Sequence, residues 1–210
     1  MFEHVLIQFA KFPQLGNVKT RLSPVLGDEG CLHLHCDLVV HTHTLLIQAA
    51  AKLGGLTVLS LGQLGDNTLI NRLGKLTPVL LQHGDDLGEK MANAINWGLT
   101  IAKKVIIVGS DCPALTITDI AQALDALNEQ ANVFINAEDG GYVLVGATKN
   151  SDDLFVGVPW GTEDVMHVTL QRLQAAHKKA VILGPLWDVD CEEDYQRLLT
   201  QFPNWPDTSA

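Results

Sequence analysis

Hydrophobic positions along the chain fall into short runs separated by stretches with helical spacing. His4 to Ala10 (HVLIQFA) is an apolar run closed by a loop containing Pro13 and Gly16. Further runs lie at Leu56 to Leu61, Pro78 to Gln82, Val105 to Val108 and Val133 to Ala137. Apolar runs of about four to eight residues bounded by turn signals predict buried strands. Between them, Leu32, Cys36, Val39, His43, Leu46 and Ala50 recur at intervals of three and four, which sets them on one face of a helix packed against a sheet. Asp86-Leu87-Gly88-Glu89 has the acid-x-x-Glu form of a capping box, and Leu87, Met91, Ala94 and Gly98 continue as a stripe, so a helix starts there. This alternation predicts an α/β fold with a mostly parallel central sheet covered on both faces and ligands outside the carboxyl ends of the strands.

After Ala137 the pattern changes. EDGGYVLVGA, from Glu138 to Ala147, sets two glycines before a second apolar run, too close for a crossover helix. A small antiparallel addition, hairpin-like or at an edge, is expected. A helix around Asp164 to Ala176, a strand around Ala180 to Leu183, a closing helix from Glu192 to Leu199 and a Pro-containing tail complete the chain.

Length and composition narrow the classes. A chain of 210 residues suits one domain, 1–210. No window approaches the roughly 18 uninterrupted apolar residues of a membrane span, and Met1-Phe2-Glu3-His4 lacks a basic start or apolar middle, so a cytoplasmic protein without a membrane span is expected. Cys31, Cys36, Cys112 and Cys191 form no C-x-x-C pair, which points to reduced thiols rather than zinc or disulfides. The formal net charge of -10 opposes nucleic-acid binding. Against it, the first 26 residues hold Lys11, Lys19 and Arg21 and a single acid, Glu3.

Four motifs carry candidate chemistry. In FAKFPQLGNVKTRL, Gly16 permits close backbone approach, while Lys19 and Arg21 supply donors suited to phosphate oxygens. Neither a Walker loop nor a dinucleotide fingerprint is present, and a solvated surface loop is the plain alternative. In IIVGSDCPAL, Asp111 sits just past a strand that Pro113 stops, a place suited to a divalent metal that neutralises phosphate or to a turn or helix cap. In EDGGY, glycines beside Asp139 let an acceptor approach a candidate base, although such a turn also serves a hairpin. In WDVD, alternation sends Asp188 and Asp190 to one side. Asp190 is preferred as a second metal ligand, and Glu192, Glu193 and Asp194 also fit a helix first turn. His33, Asp37 and His41 share a helix face at intervals of four, but one exposed helix offers no enclosing shell for a metal. His167, His177 and the Trp205 tail read as surface.

In order, FAKFPQLGNVKTRL, QHGDDLGEKM, VGSDCPAL, EDGGYVLVG, PWGTEDV and WDVDCEEDYQRL resemble the glycosyltransferase-like family known as "transferase 1, radical-SAM/selenodomain-associated", over nearly the whole chain. The resemblance implies a three-layer α/β/α Rossmann-like GT-A fold, that of nucleotide-diphospho-sugar transferases, binding a nucleotide diphosphate with Mg²⁺ or Mn²⁺. It also implies that Lys11, Gly16, Lys19 and Arg21 hold the phosphates, that Asp111 is the metal-binding acid and Asp190 completes the coordination, and that Gln82 to Glu89 border the nucleotide or acceptor. The chain departs from GT-A glycosyltransferases in having S-D-C-P where D-x-D is common, which leans toward nucleotidyltransferases. Its KTRL is similar to the K-[ST]-R-L loop of phospholactate guanylyltransferases. Two enzyme readings compete. In one, a sugar moves from a nucleotide-diphosphate sugar to a small-molecule acceptor, assisted by Asp139. In the other, an acceptor phosphate attacks a nucleoside triphosphate while Lys19 and Arg21 stabilise charge. Absence of a G-x-G-[ST] loop favours the first, and nucleotide binding without turnover is a third reading.

Overall fold

The computed structural model describes residues 1–150 and 152–206. Seven strands form one sheet: β1 (Phe2–Ala10), β2 (Leu56–Leu61), β3 (Val79–Leu81), β4 (Ala102–Gly109), β5 (Asn132–Ala137), β6 (Tyr142–Ala147) and β7 (Ala180–Leu186). Their order across the sheet is β3-β2-β1-β4-β6-β5-β7. All pairs are parallel except those of β6 with β4 and β5. The helices are α1 (Ser23–Leu53), bent where Gly27 takes φ 65°, then α2 (Thr68–Leu73), α3 (Leu87–Ile101), α4 (Ile117–Glu129), α5 (Val165–Ala175) and α6 (Glu192–Gln201).

Strand alternation divides the core in two. Val5 and Ile7 of β1, Val105 and Ile107 of β4, and Phe134 of β5 pack against Met91 and Ile95 of α3 and Met166 and Leu173 of α5. The intervening Leu6, Ile106, Val108, Val133 and Ile135 point the other way, onto Leu46 and Ala50 of α1 and Ile120 and Ala123 of α4. Each such fully buried side chain contributes about 1.5–3 kcal/mol, so the period-two pattern of the strands is what fixes three layers.

The expected hairpin forms between β5 and β6, but not at an edge: β6 is inserted between β4 and β5. Its YVLVGA run is buried from Val143 to Ala147, and a strand apolar on both faces gains more inside a sheet than on its rim. Two helices were not anticipated. α2 is capped by the Asn67 side chain, which accepts from Leu69 and Ile70 N–H at 2.9 and 3.2 Å. α4 carries a full capping box between Thr116 and Asp119. At α3, Asp86 accepts from Glu89 N–H at 2.8 Å as expected, but the Glu89 carboxylate reaches back to Asp85 N–H instead of Asp86. The Trp205 tail is not a free surface segment, because Trp205 and Phe202 are half-buried and make tilted and edge-on ring contacts with His41.

Candidate functional site

Six parallel strands end at one rim of the sheet, and a cleft of about 600 Å³ runs along that rim. Its lining includes Lys11 after β1, Gly62 after β2, Gln82 after β3, Asp111 after β4, Asp139 after β5 and Asp190 after β7. The middle of the cleft lies over β1 and β4, where the chain's progress across the sheet reverses, the usual place for a ligand in an open α/β sheet.

The basic loop divides into exposed and buried parts. Lys11 and Arg21 are exposed at the cleft. Lys19 is not: its side chain is 4% exposed, its Nζ lies 2.9 Å from Asp111 Oδ1, and it donates to the Val189 carbonyl at 2.5 Å. Lys19 also takes a left-handed conformation, φ 49°, which costs a residue with a Cβ about 1–2 kcal/mol. A strained residue held beside a carboxylate is a signature of a functional site. His35, buried beneath the loop, donates from Nε2 to the Lys11 carbonyl at 3.0 Å, and burial lowers its pKa. Gly16, φ 75°, turns the exposed loop tip and does not line the cleft.

Carboxylates converge on the other side. Asp188, half-buried, has its pKa raised to about 6, first by burial and then by the charges of Asp139 and Asp111. Asp190 is instead engaged by the Arg21 guanidinium. The backbone around it is fixed because Val189 N–H donates to the Asp111 carbonyl at 2.9 Å and Asp190 N–H to the Asp194 carboxylate at 3.0 Å. Asp139 Oδ1 accepts from Gly141 N–H at 2.9 Å. Its neighbour Glu138 faces away and pairs in a bidentate contact with Arg197, at 2.6 and 3.1 Å, while Arg197 lies over the Trp187 ring.

Beneath the cleft a buried polar chain joins β1 to β4. Gln8 Nε2 donates to the Val39 carbonyl at 2.9 Å and to Ser110 Oγ at 3.0 Å, and Ser110 Oγ donates to the Phe9 carbonyl at 2.9 Å. Gln8 Oε1 is therefore the acceptor for His43 Nδ1–H at 2.8 Å, and His43 Nε2 must accept from Thr77 at 3.2 Å. Every proton has one place only while His43 is neutral. Burial, which lowers the His43 pKa to about 4, keeps it so.

The structure thus brings Lys11, Lys19, Arg21, Gln82, Asp111, Asp139 and Asp190 into one cleft and leaves Gly16 outside it. Lys90, on α3 within QHGDDLGEKM, and His35 also line the cleft, and sequence reasoning passed over both. His33 is exposed and His41 packs on the C-terminal aromatics, so the His33/Asp37/His41 face is divided. The thiols are free, and Cys112, next to Asp111, is buried with its pKa pushed up to about 12 by desolvation. Among the described residues no helix is long and apolar enough to cross a membrane.

Solved structures share the architecture. A candidate nucleotide-diphospho-sugar transferase from Desulfovibrio desulfuricans G20 aligns over 99% of this chain and 90% of its own, with 27% identity and a TM-score of 0.83. The 4-diphosphocytidyl-2C-methyl-D-erythritol synthase of Anaerococcus prevotii DSM 20548 covers 95% and 96% with 10% identity and a TM-score of 0.60. CMP:2-keto-3-deoxy-manno-octonic acid synthetase, complexed with CTP, covers 96% and 98% with 7% identity and a TM-score of 0.58. At such low identity the last two speak for the fold alone. No curated protein matches. A family model described as "Uncharacterized protein conserved in bacteria" (DUF2064) matches residues 44–162. The chain belongs to the DUF2064 family and has the fold of the nucleotide-diphospho-sugar transferases.

Proposed function

We propose that the protein is a metal-dependent transferase that moves a sugar from a nucleotide-diphosphate sugar to a small acceptor hydroxyl. The observation that carries this is the meeting of Asp111 and Asp139 with Lys11 and Arg21 in one cleft large enough for a nucleotide sugar, with Asp188 close enough to Asp111 and Asp139 to feel their charges. The carboxylates suit a hard cation. Asp111 Oδ1 is buried with the Lys19 ammonium at 2.9 Å beside it, and Asp188 sits among like charges that a cation would relieve. Among the described residues no group of three His, Cys, Asp or Glu side chains is placed to hold a metal by itself, so the proposed Mg²⁺ or Mn²⁺ would be held by Asp111 and Asp188, or Asp190, only with substrate phosphates completing the shell. Bound there, the cation would neutralise charge on the departing diphosphate.

The side chains divide the remaining work. Lys11 and Arg21 reach the phosphates from the β1 loop, Arg21 leaving Asp190 to do so. Lys19 holds Asp111 and Val189 in place and offsets the carboxylate charge. Gln82, whose Nε2 donates to the Ser60 carbonyl at 2.9 Å, borders the nucleotide end of the cleft. Asp139 takes the proton of the acceptor hydroxyl as its oxygen bonds to the sugar C1 and the bond from C1 to the diphosphate oxygen breaks. A second reading, nucleotidyl transfer, rests on the Ser110-Asp111-Cys112-Pro113 strand end in place of D-x-D.

Thermal shift against nucleotide-diphosphate sugars and nucleoside triphosphates, with and without Mg²⁺ or Mn²⁺, tests the choice. At 100 times Kd a ligand stabilises by about 2.7 kcal/mol, a rise of about 5–10 °C for a chain this size. We expect it from a nucleotide sugar with metal. Stabilisation by triphosphates alone selects nucleotidyl transfer, and no metal dependence with any nucleotide removes both.

A further inference from the structure

A second cavity, of about 190 Å³, opens from the cleft beside Asp139. It shares Phe9, Leu87, Gly109, Asp139 and Gly161 with the cleft and runs inward between β6, α3 and the segment leading into α5. Its chemistry differs sharply. Ile107, Met91, Val145, Trp160 and Val165 form its walls, and Asp139, at the mouth, is the one charged side chain lining it among the described residues. A diphosphate finds no cation there. Beyond Asp139 the polar side-chain atoms of the lining are the Tyr142 hydroxyl, the Trp160 indole N–H and the Thr162 hydroxyl, too few for the hydroxyls of a sugar ring, each of which costs roughly 1–3 kcal/mol if left unpaired. Neither half of a nucleotide sugar suits it.

The cavity is also built in advance. Gly140 takes φ 92°, and a Cβ there would lie 2.1 Å from the Glu163 carbonyl oxygen. Met166 N–H donates to the Gly140 carbonyl at 2.9 Å. The turn that carries Asp139 is therefore bolted to the segment carrying Trp160 and Val165. Across the mouth, a Cβ on Gly88 would stand 2.9 Å from Trp160 Cζ2, so α3 and the indole are in contact before any ligand arrives. Apolar cavities of about 150 Å³ take up a single aromatic ring, and preformed apolar pockets with one or two fixed polar groups are the usual form of small-molecule sites.

We propose that this cavity holds the body of the acceptor, and that the acceptor is a compact amphiphilic alcohol with an apolar part of about one ring or a short branched alkyl group, its hydroxyl directed to Asp139. The assignment rests on the transferase reading, since an acceptor requires a donor in the neighbouring cleft. It deepens that reading by placing donor and acceptor in compartments of opposite polarity that meet at Asp139.

The test uses the full chain with benzyl alcohol as probe, glycerol as a hydroxyl without an apolar body, and the Trp160 indole N–H resonance as readout, assigned with Trp160→Phe. Benzyl alcohol should shift that resonance saturably with Kd on the order of 1–10 mM, and glycerol should not. Val165→Phe fills the cavity from the start of α5 and should weaken benzyl alcohol at least tenfold without altering nucleotide-sugar binding. Thr162→Trp, from an exposed position that lines this cavity and not the cleft, should act in the same direction if Val165→Phe fails to fold. Equal response to glycerol, no response to benzyl alcohol, or undiminished binding in a folded cavity-filling variant overturns the proposal while nucleotide binding stands. Benzyl alcohol binding with no nucleotide bound under any condition overturns the donor reading, and the acceptor assignment falls with it.

Discussion

The two sides of the cleft carry opposite charge. The loops after β1 and β3 and the start of α3 bring Lys11, Arg21 and Lys90, while the loops after β4, β5 and β7 bring Asp111, Asp139, Asp188 and Asp190. The boundary runs between β1 and β4, and Lys19 crosses it to reach Asp111. In a chain of net charge -10, this segregation gives phosphate one wall to approach and leaves the other with more negative charge than its own cations balance. The acidic wall is the more costly half: a carboxylate raised to about 6 is one the fold holds against its preference. The proposed cation would relieve that cost, which places the largest expected effects on this wall.

Removing the charge of Asp111 should do the most damage. Asp111→Asn should abolish metal-dependent stabilisation by nucleotide sugar and lower release of nucleoside diphosphate by on the order of 10³-fold or more. Because the Asp111 side chain is 44% exposed and Lys19 retains the Val189 carbonyl, the variant should still fold, as circular dichroism would confirm. Metal dependence unchanged in Asp111→Asn would break the contrast between the walls. Asp139→Ala comes next, with acceptor-dependent turnover reduced about 10²- to 10⁴-fold and donor affinity unaltered in thermal shift. A loss of donor affinity instead would move Asp139 to the nucleotide side.

How much of this contrast was legible in the sequence depends on whether a feature is local. β2 was readable to the residue, Leu56–Leu61, because its apolar run and its ladder coincide. β4 was read short, at Val105 to Val108, since pairing with β1 carries the ladder back to Ala102 through Lys103 and Lys104, which no hydrophobic count includes. α4 announced itself through Thr116-x-x-Asp119 and could have been read. The place of β6 inside the sheet could not, because strand order is set by long-range pairing. The same holds within the site. Lys11, Asp111 and Asp139 sit at strand ends that local pattern reveals. Alternation put Asp188 and Asp190 on one side and the sequence favoured Asp190 as the metal ligand, whereas the tertiary contact of Arg21 engages Asp190 and leaves Asp188 among the carboxylates. Lys19 read as a surface phosphate ligand, whereas its partner carboxylate, 92 positions on, draws it inward.

The link between the walls can be loosened without touching either. His43 has a folded pKa of about 4 against an ordinary 6.5, so the unfolded chain binds the extra proton. Stability should be full above about pH 6.5 and fall as pH drops toward 4, by about 3 kcal/mol from this group. Denaturant melts across that window check it. His43→Leu should remove this slope and, by stripping Gln8 Oε1 and Thr77 Oγ1 of their partner, cost about 2–4 kcal/mol at neutral pH. If the slope persists in His43→Leu, another group supplies it, and the buried chain from Gln8 to Thr77 is not what ties β1 to β4.

Arg21 separates attraction to phosphate from attraction to the acidic wall. Its guanidinium pairs with Asp190 in an exposed setting, side chains 69% and 45% accessible, where such a pair contributes about 0–1 kcal/mol. Arg21→Ala should therefore leave the melting temperature within about 4 °C of the parent. Binding is another matter: a guanidinium that leaves a weak surface pair for a phosphate gains a charge-assisted contact, so nucleotide-sugar affinity should fall about tenfold. Arg21→Lys should recover only part, because an ammonium lacks the forked donors. The double variant Arg21→Ala with Asp190→Ala sharpens the comparison. If Asp190 only restrains Arg21, the pair loses no more affinity than Arg21→Ala alone, whereas an additional tenfold loss with weaker metal dependence puts Asp190 beside Asp111 and Asp188 in the cation's shell.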